Sequence, residues 1–244
     1  MSGVTGSTGN SGSTSSTGGA GGTPVRRSSL RQQLADALRD EIVTGRLAAG
    51  RRFTVKEIGE HYGVSATPVR EALVDLAAQG LLDVEHHRGF QVHEFTYRDY
   101  RSMVEARILV TDGIFRRIET GGMGHIPEPA LASVRRRAEA ASSAARAGAL
   151  DVLIGCDLRF WRELCALAGN PQVSEFLDRL RVQSWVFGVP YLRAETDLSG
   201  LCWAEHVALA DAVRDGDAQL AVRIVTSYNE HSLALMEKLA GRHS

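Results

Sequence analysis

Ser65, Thr67 and Arg70 put two hydroxyls and a guanidinium within one helical turn of each other, with Pro68 between them. Hydroxyls and free main-chain N–H groups at the start of a helix suit phosphate oxygens, and an arginine just inside it can fork onto the O6 and N7 of a guanine. Arg88, next to Gly89, is the second such group and suits a minor-groove or backbone contact. A blander reading stands beside this one. Residues 26–95 carry 10 basic and 10 acidic side chains, so composition there gives no attraction to a polyanion. Arg70 could equally pair with a neighbouring carboxylate, and the tip His86-His87 could equally be a solvated loop.

The elements that must hold these residues are legible. Leu30, Leu34, Leu38, Ile42 and Val43 recur at helical spacing after a cap at Ser28 or Ser29, and the helix is expected to end at Gly45 or soon after. Val55, Ile58 and Tyr62 mark a short helix stopping at Gly63. Val69, Ala72, Leu73, Leu76 and Ala77 then fall at i, i+3, i+4, i+7 and i+8, the stripe of a core-facing helix that begins near Ser65 or Thr67 and ends at Gly80. Leu82, Val84, Phe90 and Val92 alternate with polar residues, which predicts two antiparallel strands joined at His86-His87-Arg88-Gly89. Helix, glycine turn, helix and hairpin together make the layout of a winged helix-turn-helix, whose second helix enters the major groove.

Downstream the periodicity predicts helices over 97–119, 128–147, 150–168, 171–189, 201–215 and 217–240, with each break at Gly or Pro. Residues 1–24 hold 8 Gly, 6 Ser and 5 Thr and no charge, a composition that cannot offset its ordering entropy and predicts a disordered tail. The expected organisation is therefore mainly α: a tail over 1–24, a winged helix-turn-helix over 25–95, and an all-α six-helix bundle over 96–244.

Composition narrows the class. The chain has 244 residues and a net charge of −1, so a nucleic-acid site must be local. It lacks an apolar run of about 18 residues and a secretory leader pattern, which predicts a cytoplasmic protein with no membrane partner. Cys156, Cys165 and Cys202 are odd in number and outside any CxxC, which predicts reduced thiols. GxSxG, HExxH, P-loop and GxGxxG patterns are missing, so an enzyme is not expected.

The stretch GRLAAGRRFTVKEIGEHYGVSATPVREALVDLAAQGLLDVEHHRGFQV strongly resembles the N-terminal domain of GntR-family bacterial transcription regulators. That family carries G-x-L-x-P-G, then V-S-x-T-P-V-R-E-A-L-x-x-L, then a wing ending R-G. The resemblance implies contacts to double-stranded operator DNA from Arg51 or Arg52, Ser65, Thr67, Pro68, Arg70, His87, Arg88 and Gly89. Two positions depart from the pattern. Ala49 stands where proline is usual, and Ala66 stands where many members have an arginine that contacts DNA, which implies weaker binding or a different operator preference.

Residues 97–240 resemble the helical effector-sensing FCD domain of the FadR-like subgroup, through EARILV, DLRFWREL with AGNP, and EHVALADAVRDGD. Many members bind a divalent metal there through an Asp, a His four residues later, and a His on each of two later helices. Those positions are here Asp157, Trp161, His206 and Tyr228. Only two of them can ligate, so the resemblance implies no metal cofactor unless His231 or Glu205 helps. It implies instead a refitted pocket for a small organic metabolite, with Trp161 and Tyr228 as an aromatic wall and Arg107, Asp157 and His206 as polar handles. The competing reading is that the two aromatics plug the old site and leave a domain that only dimerises. The function expected is a homodimeric repressor that leaves a palindromic operator when the effector binds. An effector-independent DNA-binding dimer is the first rival, and an enzyme in the helical domain the second.

Overall fold

The structure, a computed structural model, describes residues 30–85, 88–119 and 126–242. The expected tail, the cap at Ser28 or Ser29, and His87 lie outside the described residues.

The N-terminal elements are α1 (Leu30–Val43), β1 (Arg52–Phe53), α2 (Val55–Tyr62), α3 (Ala66–Ala78), β2 (Leu82–Glu85) and β3 (Gly89–Val92). Thr54 caps α2 through a reciprocal pair: its hydroxyl accepts from the Glu57 N–H, and the Glu57 carboxylate accepts from the Thr54 N–H. Gly63 closes α2 in the left-handed conformation at φ 66°. The stripe read from the sequence packs as expected: Val69, Ala72, Leu73 and Leu76 of α3 are fully buried, alongside Leu34, Leu38 and Ile42 of α1.

The sheet has three strands, in the order β1-β3-β2, all antiparallel. The additional strand, β1, is two residues long, too short to show an alternation. Val84 departs from expectation. It pairs with Phe90 across the sheet yet is 59% exposed: Val84 sits on the edge strand β2, whereas Phe90 is on the central strand and is flanked on its other side by the buried Phe53 of β1.

Six helices follow: α4 (Tyr97–Glu119), α5 (Glu128–Arg146), α6 (Leu150–Ala166), α7 (Pro171–Arg193), α8 (His206–Arg214) and α9 (Ala218–Ala240). Two differ from the sequence reading. Helix α7 runs through Pro190 to Arg193, where a stop at 189 was expected. Pro190 is exposed, while Val189 beside it and Leu192 on the far side of the helix are buried, so packing outweighs the lost hydrogen bond in the last turns. Helix α8 begins at His206 rather than 201, leaving Leu201 to Glu205 as a non-helical segment that carries Trp203.

One hydrophobic cluster joins the halves: Leu38, Leu73 and Val92 belong to the same core as Val186, Phe187 and Leu192 of α7 and Tyr100 of α4. A second cluster, with Phe160, Trp161, Leu209 and Ile224, fills the far end of the bundle. No helix among the described residues is long and apolar enough to cross a membrane.

Candidate functional site

At the start of α3 the chain leaves its polar groups uncommitted. Ser65 is the N-cap, but its side chain makes no capping bond, so its hydroxyl stays available. Ala66, Thr67 and Arg70 are exposed, and Arg70 makes no ion pair among the described residues. Pro68 is half-buried in the first turn, where a missing N–H breaks nothing. A buried stripe thus fixes the helix from beneath while its first turn faces solvent.

The wing groups divide. Arg88 and Arg51 are exposed and without ion pairs among the described residues. Arg52 is committed to the sheet: its Nε donates to Gln91 Oε1 at 3.0 Å and its Nη2 lies 3.1 Å from Glu85 Oε1. Gly89 has a backbone reason that sequence reasoning missed. Its φ is 101°, and a Cβ there would lie 2.4 Å from the Phe53 carbonyl oxygen, so only glycine lets β3 pair with β1 at this point.

The second candidate site is a cavity of about 80 Å³ inside the helical half. Of the five residues expected to form it, Arg107, Asp157 and Tyr228 line it, together with Trp185, Trp203 and Arg181. Trp161 and His206 lie behind the wall and position Asp157. Trp161 Nε1 and His206 Nε2 both meet Asp157 Oδ1, at 2.9 and 3.0 Å, and Trp185 Nε1 donates to Asp157 Oδ2 at 2.8 Å. Burial pushes the Asp157 carboxyl up, but the His206 hydrogen bond, the Arg181 guanidinium and the Trp185 bond outweigh it and hold the carboxyl below its ordinary value. With Asp157 ionised, His206 Nε2 carries the shared proton.

Arg181 is the residue the sequence reading overlooked. It is 4% exposed, its guanidinium carbon stands 3.7 Å from the centroid of the Trp161 ring, and its Nη1 donates to the Tyr228 hydroxyl at 2.9 Å. The signal was present: Arg181 follows Leu177 by four residues and precedes Ser184 by three, which places it on the inward stripe of α7. Trp203 was missed because it sits in a segment read as helix.

These residues do not fit a divalent metal. Both Asp157 oxygens already accept hydrogen bonds, His206 Nε2 is turned onto Asp157, Tyr228 accepts from a cation, and His231 Nε2 meets the Leu201 carbonyl at 2.9 Å. Among the described residues no group of three or more His, Cys, Asp or Glu could hold a metal ion. The cysteines are free thiols, and burial pushes the Cys202 thiol beside the cavity up to about 11.

Residues 30–92 match the family described as "Bacterial regulatory proteins, gntR family", and residues 102–231 match the FCD domain. The chain is 29% identical over 203 residues to a "Probable D-xylose utilization operon transcriptional repressor" of Paenarthrobacter nicotinovorans, a match covering 83% of this chain and 86% of that protein. It is 33% identical over 86 residues to the HTH-type transcriptional repressor RspR of Escherichia coli K12, covering 35% and 38%. Among solved structures it superposes on E. coli McbR/YncC with a TM-score of 0.70 at 23% identity, covering 88% of this chain and 99% of that one. At that identity the likeness speaks for the fold alone. Over both halves, the chain belongs to the gntR family of bacterial regulatory proteins that carry a C-terminal FCD domain.

Proposed function

We propose that this protein is a sequence-specific DNA-binding transcriptional regulator, a homodimer whose helical half binds a small organic effector and releases the operator. The observation that carries the reading is the first turn of α3, where the Ser65 and Thr67 side chains and Arg70, without an ion pair among the described residues, are exposed above a fully buried stripe. Arg70 reads base edges, Ser65 and Thr67 hold phosphates, and Arg51 and Arg88 add backbone or minor-groove contacts. Arg52 contributes by stiffening the wing. Two such modules on a two-fold axis read a palindrome. Repression rather than activation is favoured by the printed names of the two relatives above.

The reading of the helical half as a sensor rests on its cavity and its connection. Helix α7 lines the cavity with Arg181 and Trp185, and the same helix reaches the DNA-facing half through Gln183 to Gln79 and Arg193 to the Thr44 carbonyl. Effector binding changes operator affinity only if it favours one arrangement of that connection over the other. A competition titration by fluorescence anisotropy tests the reading, with labelled DNA from upstream of the protein's own gene against random duplex at fixed salt. Saturable binding that random duplex displaces at least tenfold less well supports it, and equal displacement overturns it.

A further inference from the structure

We infer that the cavity is a metal-independent site for a short aliphatic monocarboxylate, gripped by Arg107, with the buried Arg181 guanidinium supplying the positive charge that a bound metal would otherwise bring. This rests on the reading of the helical half as a sensor. The first observation is Arg107 itself. It is 2% exposed, lines the cavity, and its Nε and Nη2 have no hydrogen-bond partner among the described residues. Those two nitrogens form one edge of the guanidinium, the edge that holds both oxygens of a single carboxylate in parallel hydrogen bonds. A buried arginine left unpaired along that edge is costly, and such groups persist where function needs them.

The second observation is that the remaining demand is also for an acceptor. Trp203 lines the same cavity, and its indole Nε1 is buried without a hydrogen-bond partner among the described residues. Tyr228 receives its hydrogen bond from Arg181, and Asp157 is saturated by its own donors. The cavity therefore offers N–H groups and wants oxygens.

Charge and size select among anions. Arg107 and Arg181 against Asp157 leave one positive charge on the wall, which one carboxylate neutralises and a phosphate dianion or a dicarboxylate overshoots. The rest of the lining includes Leu153, Leu192, Leu235 and Met236, which suits a short hydrocarbon body. A volume of about 80 Å³ is roughly half that of the cavity known to take benzene, so the occupant has on the order of three to five non-hydrogen atoms.

Trp161, Trp185 and Trp203 are all the tryptophans of the chain, and all stand in or directly behind this wall, so intrinsic fluorescence reports on the site. The full-length protein, stripped with chelator and free of DNA, is titrated with sodium formate, acetate and propionate, then with succinate and inorganic phosphate, at constant ionic strength. The expected result is a saturable tryptophan signal and a rise in melting temperature of several degrees with a monocarboxylate and no added metal, with succinate and phosphate at least tenfold weaker. Arg107→Met removes the signal while melting, without ligand, no lower than wild type, since it deletes a buried charge that makes no ion pair among the described residues and has only the Tyr228 ring, 5.6 Å away, against it. Arg107→Lys, which keeps the charge but not the two-pronged edge, weakens binding at least tenfold. The inference is overturned by saturation that needs added Mn²⁺ or Zn²⁺, by phosphate or succinate binding more tightly, by wild-type affinity in Arg107→Met, or by no saturation with any of the three acids at 10-millimolar order. Failure of the DNA titration with acid binding intact would sink the regulator reading and leave this one standing.

Discussion

The side-chain amide of Gln183 donates to the main-chain carbonyl of Gln79, the residue capping the C-terminal end of α3, at 2.8 Å. Two residues earlier on the same helix, Arg181 lines the cavity with its guanidinium carbon 3.7 Å from the centroid of the Trp161 ring. One rigid element thus touches both the candidate effector site and the foot of the helix proposed to read DNA. Replacing Gln183 by alanine removes a bond worth about 1 kcal/mol. The account predicts a protein that still binds DNA but whose operator affinity changes about fivefold less on effector addition, measured as the ratio of Kd values with and without effector.

Arg70→Ala and Ser65→Ala separate two roles. Loss of Arg70 costs about 1–3 kcal/mol at the cognate operator and relaxes base preference at its position. Ser65→Ala weakens cognate and random DNA alike. Because the Ser65 side chain makes no capping bond, that variant keeps wild-type thermal stability, where an engaged cap would lose about 1 kcal/mol. Paired anisotropy and melting measurements check both.

Gly89→Ala tests the wing. The new Cβ would meet the Phe53 carbonyl and sit at a φ of 101° that alanine resists, so β1 must separate from β3. A loss of at least about 2 kcal/mol in denaturant unfolding is expected. Unchanged stability would show that the wing relaxes freely and that glycine stands there for another reason.

Asp157 gives the pH dependence. Its folded pKa is depressed below the ordinary 3.8, so its contribution to stability is fully present above about pH 4 to 5 and is lost as pH falls through the lower folded value. The denaturant midpoint should fall with acidification in that window more steeply in wild type than in Asp157→Asn. Asp157→Ala should cost several kcal/mol, since it strands the Trp161, Trp185 and His206 donors in the interior beside Arg181.

How much of this was legible follows from which signals are local. The stripe Val69, Leu73 and Leu76 and the exposed Ser65, Thr67 and Arg70 are consequences of helical periodicity within one element, and the residues carried them unaided. Pro190 reads as a helix stop because local propensity says so, yet Val189 and Leu192 pack against the shared core and keep α7 going. Asp157 and Tyr228 could be placed in the cavity by resemblance, but which way Trp161 and His206 turn is decided by a hydrogen-bond contest for a single carboxylate. That contest has no sequence period. Trp203 and Arg181 join the site from a loop and from a helix that sequence reading had assigned only to packing.

The most direct test of the whole account is the affinity of chelator-treated full-length protein for labelled operator as a short monocarboxylate is titrated in, with tryptophan fluorescence followed in the same sample. The account predicts that operator affinity falls at least tenfold over the concentration range in which the tryptophan signal saturates, and that Arg107→Met loses both responses. A saturating tryptophan signal with operator affinity unchanged would contradict it, since the cavity and α3 would then be independent.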